Sequence, residues 1–313
     1  MEAEKPFGFA TGCHARDKFM VQATLASIRH FCPGVSICLV VDGTFDVSDL
    51  ERDYNVITLR VPELPSAEMR KLIGGNYRAK LAAMWEGPFE FYVWLDSDAI
   101  VWGDFTPQVC TDLDFQIFCS EGERFTISEI HDWLPHFYFD PKKLCRFDPM
   151  FDWRQHAYFC SGAFACRRNA IPFQEWVKVE SWARQVPGLF GWGEMGMLNY
   201  VVHALAQRGQ IKIDFADLQH IWAHHGNEEL VTDCTGSGWH FPKTIHRPRA
   251  AHFCGRKPFL FDRKAYSHPF TIARLEHHRQ HHGELGSWLA LLNEDRQLLN
   301  NKVKRRLLHF IGK

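Results

Sequence analysis

The sequence predicts an α/β fold, in which a mostly parallel, Rossmann-like sheet is flanked by helices and followed by a helical tail. Apolar runs alternate with segments of helical periodicity through the first two hundred residues, an order typical of βαβ units. Residues 91–95 are apolar without alternation, as expected of a central strand that is covered on both faces. No repeat or low-complexity block interrupts the 313 residues, of which 46% are hydrophobic. The chain is therefore long enough to bury one large core.

Each predicted element depends on its periodicity and on the residues that end it. The helix at 19–31 has apolar residues at helical spacing and ends at Pro33-Gly34. The helix at 77–85 has one apolar face, carries Lys80 and ends at Gly87-Pro88. In chain order the predicted strands are 7–11, 36–41, 55–61, 91–95 and 157–166, and the predicted helices are 19–31, 77–85, 173–185, 194–207 and 285–311.

Residues 121–156 break this regularity. They combine many aromatic side chains with Asp, Pro and His, and we interpret them as an insertion on the acceptor side of a site. The predicted organisation is a catalytic domain at 1–262 and a C-terminal helical extension at 263–313.

Composition limits the function classes. Lys and Arg number 36 against 37 Asp and Glu, a net charge of −1 that does not suit a general nucleic-acid binder. The acidic N-terminus lacks the pattern of a signal peptide, and no stretch approaches the about 20 apolar residues of a membrane span. The ten cysteines are scattered without a CxxC pair, so we expect reduced thiols and a cytoplasmic location. A zinc site built from Cys13, Cys160 and Cys166 with a histidine stays open, although its spacing matches no common pattern.

Two acids follow the central strand, where ligands collect in open α/β sheets. If the backbone turns at Ser97, the carboxylates of Asp96 and Asp98 can face one divalent cation, a hard oxygen site suited to Mg²⁺ or Mn²⁺. The alternative is a solvated strand end, because such triplets also occur by chance. The apolar run after Asp98 favours the cation site.

Further stretches of the chain agree in order with one family. They are the first strand with Thr11, Lys80-Leu81 sixteen residues before Asp96, the stretches 159–164 and 191–199, and the segment 252–259. Together with 77–105 they resemble glycosyltransferase family 8, the retaining nucleotide-sugar transferases that include glycogenin and bacterial lipooligosaccharide galactosyltransferases. The resemblance spans most of residues 7–260. It implies the glycosyltransferase A fold and a metal-dependent, hexosyltransferase-like enzyme that uses a UDP-sugar.

The resemblance also implies a role for each matched residue. The implied ligands of Mn²⁺ (or Mg²⁺) are Asp96, Asp98 and His252, and the implied donor-binding residues are Thr11, Lys80, Ser97, Gly162, Gly255 and Lys257. Lys80, Gly255 and Lys257 are the implied contacts to the diphosphate. Lys257 would offset the negative charge that develops on the diphosphate as it departs. Glu194 is expected to bind donor-sugar hydroxyls; a nucleophile and a structural acid at a helix start are the alternatives.

The chain departs from the family pattern at several positions. Cys160 stands where the family has Asn, Glu194 where it has Asp and Met195 where it has Gln, and the segment 252–259 is one residue shorter. Two rival functions therefore stay open: a nucleotidyltransferase that forms nucleotide sugars, and a degenerate protein that only binds sugar or nucleotide. The expected acceptor is a saccharide, a lipid-linked glycan or another hydroxyl compound, with no nucleic acid as partner.

The tail is basic. After Asp295 it contains no acid. From residue 302 onward it carries five cations, Lys302, Lys304, Arg305, Arg306 and Lys313, beside an apolar face of Leu299, Val303, Leu307 and Phe310. Such a helix can lie in an anionic membrane interface, so we expect peripheral membrane contact. The alternative is a helix that packs on the core. The cluster His277, His278, His281 and His282 is predicted to be a solvated helix face.

Overall fold

The computed structural model describes residues 5–75, 78–119, 134–191, 193–221, 228–254, 259 and 264–311, with the side chains at 5, 228–229, 264–266 and 301–311 left aside. The strands are β1 (Lys5–His14), β2 (Ser36–Asp42), β3 (Ile57–Arg60), β4 (Phe89–Leu95), β5 (Ala99–Trp102), β6 (Phe115–Cys119), β7 (Ala163–Arg167), β8 (Ile213–Asp217), β9 (Gln219–Ile221) and β10 (Arg249–His252). The helices are α1 (Lys18–Phe31), α2 (Ser48–Tyr54), α3 (Ala67–Ile73), α4 (Ala79–Glu86), α5 (Pro141–Leu144), α6 (Phe173–Gln185), α7 (Glu194–Gln207), α8 (Glu228–Asp233), α9 (Lys264–Arg279) and α10 (Glu284–Ile311).

Two sheets organise the chain. The larger has seven strands in the order β3-β2-β1-β4-β7-β6-β8, and only β7 runs against its neighbours. The smaller has the order β5-β10-β9, with β5 and β10 antiparallel. The predicted mostly parallel α/β sheet is confirmed.

Strand β4 explains the apolar run without alternation. Tyr92 and Trp94 pack into the core on one face of the large sheet, whereas Phe91, Val93 and Leu95 pack into the core on the other face. Because both faces of the sheet are covered at β4, side chains on either face are buried and apolar, and the sequence shows no alternation with polar residues. The strand therefore lies in the middle of the molecule and delivers Asp96 to the sheet edge.

The long predicted helices and the first four strands are present close to their predicted bounds. The strand predicted at 157–166 is wrong in its first half, because β7 begins only at Ala163. Before it, the backbone N–H and C=O of Phe159 bond to the side chain of Asn199, which replaces the strand ladder. This loop and its anchor on α7 carry residues of the site described below.

The described part of the predicted insertion packs into the core. Its buried residues are Leu134, Tyr138, Phe139, Leu144 and Phe151, and they join the cluster that includes α7. Residues 121–133 of the insertion lie outside the described residues. Its place on the acceptor side stays a prediction.

Helix α9 packs against α1. Phe270 and Ile272 of α9 share a core cluster with Met20 of α1. The solvated face predicted for the histidines is wrong for His277, which is buried and bonded to the hydroxyl of Tyr54 at 2.7 Å. Among the described residues, no helix is both long enough and apolar enough to cross a bilayer. None of the ten cysteines, all of which lie among the described residues, forms a disulfide.

Candidate functional site

Asp96, Asp98 and His252 come together at the end of β4. One potential ligand atom from each lies within 4.8 Å of the others, and within the described ranges this is the one such group of three or more His, Cys, Asp or Glu residues. The turn from β4 into β5 carries both acids. The N–H of Ala99 closes this turn by donating to the carbonyl of Asp96. The register of β10 on β5 pairs His252 with Ala99, which brings the ring beside the acids. The structure thus unites the three predicted metal ligands, and it does not bring the cysteines of the zinc alternative into such a group.

His252 is enclosed and closely contacted. Its Nε2 lies 3.3 Å from Asp98 Oδ1, and both residues are less than 9% exposed. Gly162 leaves room for the ring, because a Cβ on that residue would lie 2.2 Å from His252 Cε1. Burial alone would lower the pKa of the His252 imidazole, but Cys160 and Asp98 outweigh it and hold that pKa well above the usual value.

Lys80 is a buried cation beside two carboxylates. It is 2% exposed on α4, and its Nζ lies 2.9 Å from Glu194 Oε1 and 3.1 Å from Asp96 Oδ1. Ser161 accepts two further bonds from the ammonium through its carbonyl and hydroxyl oxygens. Burial opposes the charge of Lys80, yet Asp96 and Glu194 outweigh it and raise the pKa above the usual value. A solvated lysine is thereby excluded, and the ammonium links Asp96 to Glu194.

Glu194 and Asp96 are each held by a second group. Glu194 is the first residue of α7 and follows Gly193, whose φ of +61° suits glycine. Its Oε1 accepts from Ser161 as well as from Lys80. Asp96 Oδ1 accepts from the indole N–H of Trp94 at 2.7 Å. Both carboxylates therefore have fixed orientations.

An open cavity of about 550 Å³ runs past these residues, a size suited to a small-molecule ligand. Lys80, Asp96, Ser97, Asp98 and Glu194 line this cavity. Its lining also includes the end of β1, the loop after it, Gly75 and Asp42, whose two carboxylate oxygens accept the N–H of Gly75 at 3.0 and 3.1 Å.

The remaining predicted residues have different positions. Thr11 is fully buried in β1 and is absent from the cavity lining, which begins at the next residue, Gly12. Ser97 lines the cavity, with its carbonyl accepting from the hydroxyl of Thr24. Gly255 and Lys257 lie outside the described residues.

Sequence reasoning missed Asp42 and Trp94. Asp42 ends the parallel strand β2. Ligands collect at the carboxyl ends of such strands, so the position that indicated Asp96 indicates Asp42 as well. The contact between Trp94 and Asp96 joins residues two apart, with no distinguishing pattern in the sequence.

No protein-family model matches the chain, and no curated protein matches its sequence. Solved glycosyltransferase structures share its fold, among them LgtC and GlyE. The galactosyltransferase LgtC, in complex with donor and acceptor sugar analogues, is 13% identical with a TM-score of 0.54 over 85% of this chain and 95% of that chain. The glycosyltransferase GlyE of Streptococcus pneumoniae TIGR4 is 11% identical with a TM-score of 0.52 over 95% of this chain and 64% of its own. These matches confirm the predicted glycosyltransferase A fold.

Proposed function

We propose that the chain is a metal-dependent, retaining glycosyltransferase that moves a sugar from a UDP-sugar to a hydroxyl acceptor. The observation that carries the proposal is the Asp96, Asp98 and His252 group, whose two acids line the cavity of about 550 Å³. This group lies in a fold shared with LgtC, whose structure holds donor and acceptor sugar analogues.

The three side chains fit a divalent cation. Two carboxylates and one imidazole offer oxygen and nitrogen ligands, a set that suits Mn²⁺. Mg²⁺ prefers oxygen ligands alone and fits the set less well. The space that Gly162 leaves for the His252 ring keeps the third ligand beside the two acids. When bound, the cation would supply positive charge against the two phosphates of a leaving nucleoside diphosphate.

The other residues of the cavity have roles that follow from their contacts. Lys80 holds Asp96 and Glu194 in place and keeps a positive charge beside the cation site. The part of the cavity that Asp42 and Gly75 line would receive the nucleoside. Gly255 and Lys257 remain the proposed contacts to the diphosphate.

Glu194 is proposed to bind hydroxyls of the donor sugar. Its Oε1 already accepts from Lys80 and from Ser161, and this engaged carboxylate is a weaker nucleophile than a free one. Retention then proceeds by attack on the face that the leaving group departs from. The bond from the anomeric carbon to the diphosphate breaks as the acceptor oxygen bonds to that carbon, and the hydroxyl proton passes to the departing diphosphate. The products are UDP and an α-glycoside.

Turnover of a panel of nucleotide sugars with Mn²⁺ tests the proposal. We expect release of nucleoside diphosphate, slow with water and faster with a matching acceptor, and an α-linked product by its anomeric proton coupling. Release of pyrophosphate from a sugar phosphate and a nucleoside triphosphate would identify a nucleotidyltransferase. Binding without turnover would identify a degenerate transferase, and a β-linked product would contradict retention.

A separate observation favours peripheral membrane contact for a lipid-linked acceptor. Leu285, Leu289, Leu292 and Leu299 of α10 are 38–75% exposed and lie at i, i+4, i+7 and i+14, which makes one apolar stripe ahead of the basic tail. Apolar area and cations together favour an anionic interface. Co-sedimentation with anionic vesicles should fall in a Leu285→Ser/Leu289→Ser variant and in high salt. Equal sedimentation of variant and wild type would contradict this contact.

A further inference from the structure

Cys160 contacts the ring nitrogen of His252 that faces away from Asp98. Its Sγ lies 3.5 Å from His252 Nδ1, while His252 Nε2 lies 3.3 Å from Asp98 Oδ1. The ring is thus held at both nitrogens, with Gly162 close to it. The three residues come from the loop before β7, from β10 and from the turn after β4.

A histidine that binds a cation through Nε2 must carry its proton on Nδ1. Such a proton needs an acceptor, and the acceptor fixes both the tautomer and the orientation of the ring. In the described part of the chain, Cys160 Sγ is the hydrogen-bond partner of Nδ1. Because His252 is only 5% exposed, bulk water is a poor substitute.

The loop that carries Cys160 is itself fixed. The carbonyl of Cys160 accepts from the side chain of Gln219 on β9, the strand next to the one that carries His252. The preceding residue, Phe159, is bonded on both backbone groups to Asn199. Two residues later, the carbonyl of Gly162 accepts the N–H of Asp96 at 2.8 Å. The thiol therefore sits in a frame tied to β10 and to the first acid of the cation site.

We propose that Cys160 is a positioning residue of the cation site, whose sulfur accepts the Nδ1 proton of His252 and keeps Nε2 directed at the cation. The inference rests on the proposed function, since it assumes that a divalent cation binds to His252. It gives a role to the cysteine at a position where the resembling family has Asn.

The test is Mn²⁺ affinity, measured on the full chain by electron paramagnetic resonance of the free ion, with a melting curve for each variant. Loss of the acceptor in Cys160→Ala should weaken Mn²⁺ binding about 10-fold or more, the usual effect of losing such a partner. Cys160→Asn and Cys160→Ser supply an acceptor oxygen, and at least one of them should recover most of the affinity. Cys119→Ala is the matched control, because this half-buried thiol bonds to the carbonyl of Ala216 and is not part of the cation group.

Each outcome decides the proposal. Loss of Mn²⁺ affinity in Cys160→Ala but not in Cys119→Ala, with affinity recovered in Cys160→Asn or Cys160→Ser, supports it. Wild-type affinity in Cys160→Ala, an equal loss in Cys119→Ala, or recovery in neither replacement overturns the positioning role and leaves the proposed function standing. A wild-type protein that binds no Mn²⁺ overturns both.

Discussion

Lys80 Nζ lies 2.9 Å from Glu194 Oε1, although 114 residues separate the two in the sequence. Both side chains are largely buried, and the same ammonium lies 3.1 Å from Asp96 Oδ1. One cation thereby links the start of α7 to the first acid after β4. The pair fixes Glu194 beside the cation site and makes the two carboxylates compatible with burial.

Removal of Lys80 should destabilise the protein. In Lys80→Met, Asp96 and Glu194 keep their negative charges without a partner, and breaking a buried ion pair costs about 3–5 kcal/mol. Urea unfolding should show that loss, and Lys80→Met/Glu194→Gln should regain part of it. Lys178→Met is the matched control, because the exposed pair of Lys178 and Glu175 contributes about 1 kcal/mol or less. Equal stability of the two single variants would contradict a structural role for Lys80.

A methyl group at residue 162 should disturb the cation site. The Cβ of Gly162→Ala would lie 2.2 Å from His252 Cε1, so the ring or the backbone at residue 162 must shift and the placement of the ring beside the two acids is disturbed. We expect calorimetric Mn²⁺ affinity to fall about 10-fold or more. Gly34→Ala is the control, since its Cβ meets nothing within 4 Å. Unchanged Mn²⁺ affinity in Gly162→Ala would show that His252 is not a ligand.

Glu194→Gln distinguishes sugar binding from covalent catalysis. The amide oxygen can still accept from Lys80 and from a sugar hydroxyl, so steady-state turnover above about 1% of wild type is expected. Loss of an essential nucleophile can cost about 10⁴-fold or more. Glu175→Gln, on the surface of α6, should behave as wild type. A glycosylated Glu194 peptide trapped by mass spectrometry would refute the sugar-binding role.

His203 should make the protein sensitive to acid. Burial, together with the neighbouring His156, lowers the pKa of His203 from 6.5 to about 3. Between these values the unfolded chain binds more protons than the folded one, so stability falls as the pH falls below 6.5. The free energy of unfolding is therefore about 2 kcal/mol smaller at pH 5 than at pH 7.5 through this group.

Denaturant unfolding of His203→Phe at the two pH values checks this. The variant loses the bond to the carbonyl of Ala157 at both values, but its stability should change less with pH than that of wild type. An equal pH dependence in both proteins would place the acid sensitivity elsewhere.

Local patterns predicted the long elements and the acid pair, but not the contacts between distant segments. Helices α6 and α7 were predicted at their observed bounds, because their periodicity and end signals are local. The short strands β5 and β10 were missed, since they pair with each other across about 150 residues of sequence. His252 could be singled out only through the family resemblance, because the β5–β10 register that brings it to Asp98 leaves no local pattern. The burial of Lys80 and the contact of Cys160 with His252 depend on the same long-range packing.

UDP binding with and without Mn²⁺, measured by calorimetry, tests the central claim most directly. We expect UDP to bind in Mn²⁺, to lose most of its affinity when the metal is removed with EDTA, and to bind poorly to Asp98→Asn and His252→Gln even in Mn²⁺. Both variants should keep wild-type melting temperatures within a few degrees, because the changes lie beyond strand β4 and at the end of β10. UDP that binds equally well in EDTA, or a variant at either position that binds UDP as the wild type does in Mn²⁺, would contradict a cation site formed by Asp96, Asp98 and His252.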